Sequence, residues 1–147
     1  MNASHEPLRH LLTLDGLPAD VLTSLLIRAQ AFAEGHYDRR ALDGLAVCTL
    51  FFEPSTRTRM SFTLAAQRLG ADVLNFDAST SSTRKGETAL DTMKNLEAMG
   101  VRGFVIRHQH DGAVAALAQQ AADGTVLVNA GDGRSAHPTQ GLLDMLT

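Results

Sequence analysis

A segment that follows a short apolar run carries three hydroxyl side chains and two arginines, namely Ser55, Thr56, Arg57, Thr58 and Arg59. Ser55 is a typical helix N-cap, so the segment predicts a helix that begins at Thr56. The first N–H groups of a helix are unpaired, and its dipole favours an anion at this end. Arginines in the first turn oppose that dipole unless an anion is bound beside them. The segment therefore indicates a phosphate site; the alternative is an ordinary serine cap with Arg57 and Arg59 solvated.

Basic and hydroxyl side chains also crowd a second segment, residues 79–88, with the sequence STSSTRKGET. Arg84 and Lys85 lie there beside several serines and threonines, including Ser81. Such a segment can form a cationic lid over an anionic ligand, or it can be a solvated surface loop. The residues alone leave both interpretations open.

Two later segments place polar residues where apolar runs end. Arg107 closes the apolar run 101–107, so it is expected to point toward a ligand crevice, with a structural ion pair as the alternative. His137 stands immediately before Pro138, which can occupy the first position of a helix. From there His137 could donate to an oxygen that gains negative charge, and Gln140, one turn on, could bind an amide. A capping or packing role is the alternative for His137.

The other polar clusters match no known metal or nucleotide motif. His108, His110 and Asp111 fall within four residues without a metal-ligand spacing, so no metal is predicted. Residues 131–133, Gly-Asp-Gly, are not a dinucleotide fingerprint, and no GxxxxGK segment occurs. Cys48 lies within an apolar run and is expected in the core. We therefore expect no cofactor.

Short apolar runs alternate with helical patterns along the chain, and this alternation predicts how the candidate residues are positioned. Strands are predicted over 46–52, 71–76, 101–107 and 125–129. Helices are predicted over 18–35, 56–69, 87–99 and 111–122, with a last helix that opens at Pro138. Such a pattern is typical of an open, doubly wound α/β sheet of about four parallel strands with helices on both faces. Ligands bind at the carboxyl ends of the strands in these sheets, where all the candidate residues fall.

Length and composition limit the classes of protein to consider. The 147 residues suit one domain, 1–147, and their 44% apolar and 20% charged content is that of a globular protein. The net charge of −3 argues against a nucleic-acid binder held by charge. No run approaches the roughly 18 apolar residues of a membrane span. A single cysteine excludes an internal disulfide framework and fits a cytoplasmic location.

Four motifs together resemble the carbamoyltransferases. They are PSTRTR at 54–59, KGET at 85–88, VIRH at 105–108, and NAGDG followed by HPTQ and LLD within 129–144. The combination is most similar to the catalytic chains of the aspartate-type enzymes. STRTR and HPTQ are shared across the superfamily, whereas KGET and NAGDG favour the aspartate type over the ornithine type.

The resemblance implies a reaction and a set of roles. The carbamoyl group of carbamoyl phosphate would pass to the α-amino group of L-aspartate, an early step of pyrimidine synthesis, without a cofactor or metal. The phosphate would be held by Ser55, Thr56, Arg57 and Thr58, the carbonyl oxygen by Arg107, His137 and Thr58, and the carbamoyl nitrogen by Gln140. Ser81 and Lys85 would complete the site of the adjacent subunit in a homotrimer.

Elementary chemistry agrees with these roles. Attack on the carbamoyl carbon places charge on its oxygen, where Arg107 and His137 would act as an oxyanion hole. Arg57, Lys85 and the helix terminus would stabilise the departing phosphate, and the remaining task is to orient two substrates.

The resemblance also implies a second domain that binds aspartate and is absent from this chain. The chain alone is therefore expected to bind carbamoyl phosphate without turnover and to expose an apolar patch that the family covers. Two alternatives stay open: an ornithine-type enzyme, and a non-catalytic module that binds carbamoyl phosphate or assembles with complete chains.

Overall fold

The computed structural model describes residues 8–77, 88–134 and 136–146. Along them the elements are α1 (Ala19–Ala33), β1 (Ala46–Phe51), α2 (Thr56–Arg68), β2 (Asp72–Asp77), α3 (Ala89–Ala98), β3 (Val101–His108), α4 (Ala113–Gln119), β4 (Val126–Asp132) and α5 (Pro138–Leu146). None of these helices is long and apolar enough to cross a membrane.

The strands of the described chain form one parallel sheet in the order β2-β1-β3-β4. The chain runs from β1 outward to β2 and then crosses back to β3 on the other side of β1. This topology confirms the predicted open α/β sheet. Because the winding direction reverses between β1 and β3, the crevice for a ligand lies at the carboxyl ends of these two strands.

Different helices cover the two faces of the sheet. Cys48 and Leu50 of β1 belong to a buried cluster that includes Met93 of α3 and residues of α4. Phe51, which points to the other face, belongs to a second cluster against which Phe62 of α2 packs. Helices on both faces were predicted from the alternating pattern and are observed.

The face that α2 covers keeps an open apolar groove of about 410 Å³. Its lining includes Leu45, Val47, Val126 and Val128. Leu45 and Val126 are each 42% exposed although both are large apolar side chains. An exposed apolar patch was expected from the family resemblance, and this groove is where the described residues place it.

The N-terminal segment lies against β4, a contact that the sequence did not indicate. The N–H of Leu11 donates to the carbonyl of Leu127 at 2.9 Å, and the N–H of Asn129 donates to the carbonyl of Leu11 at 2.8 Å. The Asn129 side chain adds a bond from Nδ2 to the carbonyl of Leu12 at 3.0 Å. The segment therefore continues the sheet by one isolated parallel bridge.

Several predicted element bounds are wrong for identifiable local reasons. Pro18 is the N-cap of α1 rather than its first helical residue. The helix predicted from residue 111 begins at Ala113, because Gly112 at φ +77° is its N-cap. Strand β4 continues to Asp132, because its polar end is buried instead of forming a loop. The predicted start of α3 at Glu87 lies outside the described residues, and the helix begins after Thr88, which forms a capping box with Asp91.

Glu97 is a buried carboxylate that ties α3 to the turn before β4. Its side chain is 6% exposed, and Oε2 accepts from the N–H of Ala122 and from the Thr125 hydroxyl, each at 2.8 Å. Lys94 Nζ lies 3.0 Å from Oε1. Burial alone would raise the pKa of Glu97, but the hydrogen bonds and Lys94 outweigh it and lower the pKa.

We expect Glu97→Ala to lower the free energy of unfolding by about 2–4 kcal/mol, because the buried Thr125 hydroxyl loses its acceptor. Urea unfolding followed by circular dichroism measures the change. Glu34→Ala is the matched control, since Glu34 is an exposed carboxylate at the end of α1, and its loss should stay below about 0.5 kcal/mol. Equal losses in the two variants would contradict the assigned role of Glu97.

Candidate functional site

The N-terminus of α2 is built as the sequence predicted. Ser55 is the N-cap, but its side chain makes no capping hydrogen bond. Its carbonyl accepts from the N–H of Arg59 at 3.0 Å. The first-turn N–H groups of a helix have no intrahelical partner, and no acidic residue stands in this turn. The end of α2 therefore offers backbone donors, hydroxyls and a positive dipole to an anion.

The structure separates the two arginines of the first turn. Arg59 Nη1 donates to Asp77 Oδ2 at 3.2 Å, so it forms a partly buried ion pair with the end of β2. Arg57 is exposed and lines the same cleft as His137. Of the two side chains that seemed to oppose the dipole, Arg57 is thus the one placed for a ligand in the cleft.

A cleft of about 410 Å³ brings the predicted residues of α2 and α5 together. Arg57 and Thr58 line it from the start of α2, and His137 and Gln140 line it from the start of α5. Thr56 instead lines a neighbouring open hollow that Arg57 also borders. A ligand in the cleft can therefore contact the phosphate-type donors of one helix and the polar side chains of the other.

Arg107 combines the two interpretations that its position allowed. Its Nη1 donates to the carbonyl of Ala130 at 2.9 Å, which holds the guanidinium against the end of β4. Its Nε lies 3.5 Å from Glu53 Oε2, an ion-pair separation too long for a good hydrogen bond. Buried Nε has no hydrogen-bond partner among the described atoms. Arg107 is therefore both ion-paired and placed at the carboxyl edge of the sheet.

Gly131 packs against the side chains of Arg107 and His137. Its φ of +119° is a conformation that side chains rarely adopt. A Cβ at this position would lie 2.8 Å from Arg107 Nη1 and 3.5 Å from His137 Cδ2. Only a glycine therefore allows the Arg107 side chain to keep its position.

The surroundings of His137 favour its neutral form. Burial lowers the pKa of His137, and the nearby Arg107 charge lowers it further. The Thr139 hydroxyl lies 3.4 Å from His137 Nδ1. A hydroxyl that donates to Nδ1 favours the tautomer with its proton on Nε2, which leaves Nε2–H to donate to a ligand oxygen.

The lowered histidine pKa values predict how stability depends on pH. Burial lowers the pKa of His10, His108 and His137 below the ordinary value of 6.5. The unfolded chain then binds more protons than the folded chain below that value, so acidification favours unfolding. We expect the free energy of unfolding to fall between about pH 7 and pH 5, and further below the ordinary Glu97 pKa of 4.5.

Urea unfolding measured across this range tests the expectation. His137→Gln should flatten the dependence, because one of the histidines that favours unfolding in acid is removed. A stability that stays level or rises on acidification would contradict it.

The remaining candidate residues fall outside the cleft or outside the described chain. The rings of His108 and His110 lie 5.2 Å apart, and Asp111 accepts from the N–H of Arg134 at 2.7 Å. Within the described ranges, no group of three His, Cys, Asp or Glu residues is placed to hold a metal ion. Ser81 and Lys85, predicted to serve an adjacent site, lie outside the described residues.

The sequence did not indicate the contacts of three residues that shape the site, Glu53, Gly131 and Asp132. Glu53 follows β1 and faces Arg107, but a lone glutamate beside a proline carries no sequence signal. The glycine and the aspartate stand in the NAGDG segment, which contributed to the family resemblance but gave neither residue a role at the site. Their contacts arise because β3 and β4 lie side by side, which spacing along one chain does not reveal.

Comparison with known proteins gives a consistent picture. The family described as "Aspartate/ornithine carbamoyltransferase, carbamoyl-P binding domain" matches residues 9–147. The aspartate carbamoyltransferase catalytic subunit of Stenotrophomonas maltophilia (strain R551-3) is 74% identical over 145 residues, which are 95% of this chain and 46% of that protein. The corresponding subunit of Xanthomonas euvesicatoria pv. vesicatoria is 75% identical over 144 residues, with the same coverage. The chain spans about half the length of the curated relatives it matches.

Solved structures agree with these sequence matches. The catalytic subunit of M. jannaschii aspartate transcarbamoylase superposes with a TM-score of 0.82 at 31% identity, covering 95% of this chain and 46% of that one. Ornithine carbamoyltransferase from Thermus thermophilus superposes with a TM-score of 0.84 at 33% identity, covering 96% and 48%. The chain therefore belongs to the aspartate/ornithine carbamoyltransferase family and matches its carbamoyl-phosphate-binding domain.

Proposed function

We propose that this chain is the carbamoyl-phosphate-binding part of an aspartate carbamoyltransferase, which transfers the carbamoyl group to L-aspartate and releases phosphate. The observation that carries the proposal is the cleft in which the start of α2 meets the start of α5. One side offers a cation and hydroxyls for phosphate, and the other offers a histidine and an amide for a carbamoyl group.

The phosphate end of the ligand is assigned to α2. Its first turn supplies backbone N–H groups and the positive end of the dipole, and the Ser55 side chain makes no capping bond there. Arg57 adds a full charge and, with Thr56 and Thr58, further donors. As the bond between the carbamoyl carbon and the bridging phosphate oxygen breaks, these groups stabilise the charge that stays on the phosphate.

The carbamoyl end is assigned to Arg107, His137 and Gln140. Attack by an amine turns the carbonyl oxygen into an oxyanion, and neutral His137 can donate from Nε2 while Arg107 supplies positive charge. Gln140 Nε2 donates to Asp144 Oδ1 at 3.2 Å, an orientation in which Oε1 can accept from the carbamoyl nitrogen. We infer that the departing phosphate accepts the proton of the attacking amine, without a metal or cofactor.

The acceptor is assigned to aspartate on the strength of the relatives. The curated relatives at 74% and 75% identity are aspartate carbamoyltransferase catalytic subunits. We propose that residues 1–147 alone bind carbamoyl phosphate without turnover, since they span about half the length of these relatives. A full-length chain assayed with both acceptors should carbamoylate L-aspartate; transfer to L-ornithine alone would overturn this choice.

We further propose a homotrimer in which a neighbouring chain completes each site. An open hollow of about 930 Å³ borders Arg57 and runs along α2 to Asn75 on β2. Met60 and Leu64 on its wall are exposed apolar side chains, and β2 is an edge strand. A neighbour seated there could bring its own Lys85 to Arg57.

Mixed trimers of full-length chains test the shared site. Lys85→Ala and His137→Ala chains should each be nearly inactive, but an equal mixture with exchanged subunits should regain about a quarter of wild-type activity. One intact site then forms in each hybrid trimer, where the His137 of one chain meets the Lys85 of the next. A mixture of Arg107→Ala and His137→Ala should regain nothing, since both residues serve the same chain's site. Equal recovery in the two mixtures, or none in the first despite verified exchange, would count against sharing.

The single cysteine supports a cytoplasmic location as part of the same proposal. Cys48 is buried in β1 as a free thiol. Such a thiol needs no oxidising compartment for the fold.

A further inference from the structure

Asp132 is a buried carboxylate at the end of β4 that the proposed reaction does not use. It is 3% exposed. Its Oδ1 accepts from the N–H of Ala136 at 3.1 Å and from Asn129 Nδ2 at 3.2 Å. Its Oδ2 accepts from the N–H of Gly112 at 3.0 Å. Each carboxylate oxygen is therefore committed to a donor from a different segment.

Two hydrogen bonds join Asp132 to Ala136, just before α5. The N–H of Asp132 donates to the carbonyl of Ala136 at 3.2 Å, while its side chain accepts from the N–H of the same residue. Ala136 directly precedes His137, whose ring lines the cleft. These two hydrogen bonds therefore hold Ala136, the residue before His137, against Asp132 at the end of β4.

The other hydrogen bonds of Asp132 join it to neighbouring segments at the carboxyl edge of the sheet. Gly112 N–H connects Asp132 to the loop after β3. Asn129 bonds Asp132 with Nδ2 and accepts from the N–H of Gly131 with Oδ1 at 2.9 Å. Gly131 in turn packs against the Arg107 guanidinium. Asp132 is therefore bonded to the residue before His137 and, through Asn129, to Gly131, against which Arg107 packs.

We propose that Asp132 is a positioning residue, which fixes the His137 ring in the cleft without touching the ligand. The inference rests on the proposed function, because the position of His137 matters for the carbonyl end of carbamoyl phosphate. An amide in place of the carboxylate must turn its NH₂ toward at least one N–H donor. That repulsion displaces either the segment before His137 or the loop after β3.

The test compares Asp132→Asn with Asp111→Asn in the chain as it stands. Asp111 is the matched control, since it is an exposed carboxylate that also accepts one loop N–H, that of Arg134. Calorimetry with carbamoyl phosphate and with inorganic phosphate measures the two ends of the ligand separately. We expect Asp132→Asn to weaken carbamoyl phosphate about tenfold and phosphate less than about twofold, with both unchanged in Asp111→Asn.

Equal loss of both ligands in Asp132→Asn would indicate a merely structural role and overturn the proposal, as would no loss. Failure of the wild-type chain to bind either ligand would instead overturn the proposed function. In that case the NMR signals of the His137 ring decide the positioning role, since they should shift in Asp132→Asn and stay in place in Asp111→Asn.

Amide hydrogen exchange in the wild-type chain covers the case in which Asp132→Asn does not fold. Gly112 and Ala136 donate to a buried carboxylate, whereas Arg134 donates to an exposed one. We expect the first two amides to exchange at least about tenfold more slowly than that of Arg134. Equal exchange at all three positions would overturn the proposal.

Discussion

Arg57→Ala is expected to lower the affinity for carbamoyl phosphate and for inorganic phosphate by about 100-fold or more. Arg57 is exposed at the first turn of α2, and it borders both the cleft and the hollow beside it. Arg59, the other cation of that turn, is engaged with Asp77. Removing Arg57 therefore removes the full charge that this helix end presents to the cleft.

Arg68→Ala separates this effect from a change in net charge. Arg68 is exposed in the last turn of the same helix and does not line the cleft, so the substitution removes one charge without removing a cleft residue. Isothermal titration calorimetry should show wild-type affinity for Arg68→Ala. Arg57→Ala should also keep or slightly raise the unfolding free energy, because a cation at a helix N-terminus is unfavourable without an anion. Unchanged affinity in Arg57→Ala, or equal losses in both variants, would remove the basis for a phosphate site.

Gly131→Ala is expected to weaken carbamoyl phosphate binding by about 30-fold or more, because the Arg107 guanidinium, which we assign to the carbonyl oxygen, loses its place. The new Cβ would lie 2.8 Å from Arg107 Nη1, so the guanidinium must leave the carbonyl of Ala130 that now holds it. The same Cβ would lie 3.5 Å from His137 Cδ2, an ordinary van der Waals contact that leaves the ring in place. The positive φ of +119° adds a cost of about 1–3 kcal/mol to folding.

Gly100→Ala isolates the backbone cost from the displacement of Arg107. Gly100 has a φ of +100°, and a Cβ there would meet nothing within 4 Å. Both alanine variants should lose similar unfolding free energy, but only Gly131→Ala should lose affinity in the same calorimetric titration. Wild-type binding by folded Gly131→Ala would show that binding does not depend on the position of Arg107 beside Gly131.

The fold was largely predictable because its determinants are local and periodic. The apolar run of β1 and the spacing along α2 predicted their elements within a residue or two, and the alternation predicted the parallel sheet. The end of β4 was missed, since Asp132 has the polar side chain of a loop residue and its buried hydrogen bond to Asn129 leaves no local pattern. The bridge from Leu11 to β4 joins residues more than a hundred positions apart, and no local pattern records it.

The candidate site was predictable only in part. The residue types of the α2 segment indicated an anion site, and the cleft does join Arg57 and Thr58 to His137 and Gln140. The pairing of Arg59 with Asp77 was not foreseen, because it depends on how α2 lies against β2. Gly131 likewise shows its role only when the side chains of two other segments are placed against it.

An NMR titration of the isotopically labelled chain with carbamoyl phosphate tests the carbamoyl-phosphate site most directly. We expect saturable shifts in the amide signals of Thr56, Arg57 and Thr58 and in the ring signals of His137. The signals of Val126, in the open apolar groove on the sheet face, should stay in place. Absence of saturable shifts, or shifts confined to that groove, would contradict the assignment of the cleft to carbamoyl phosphate.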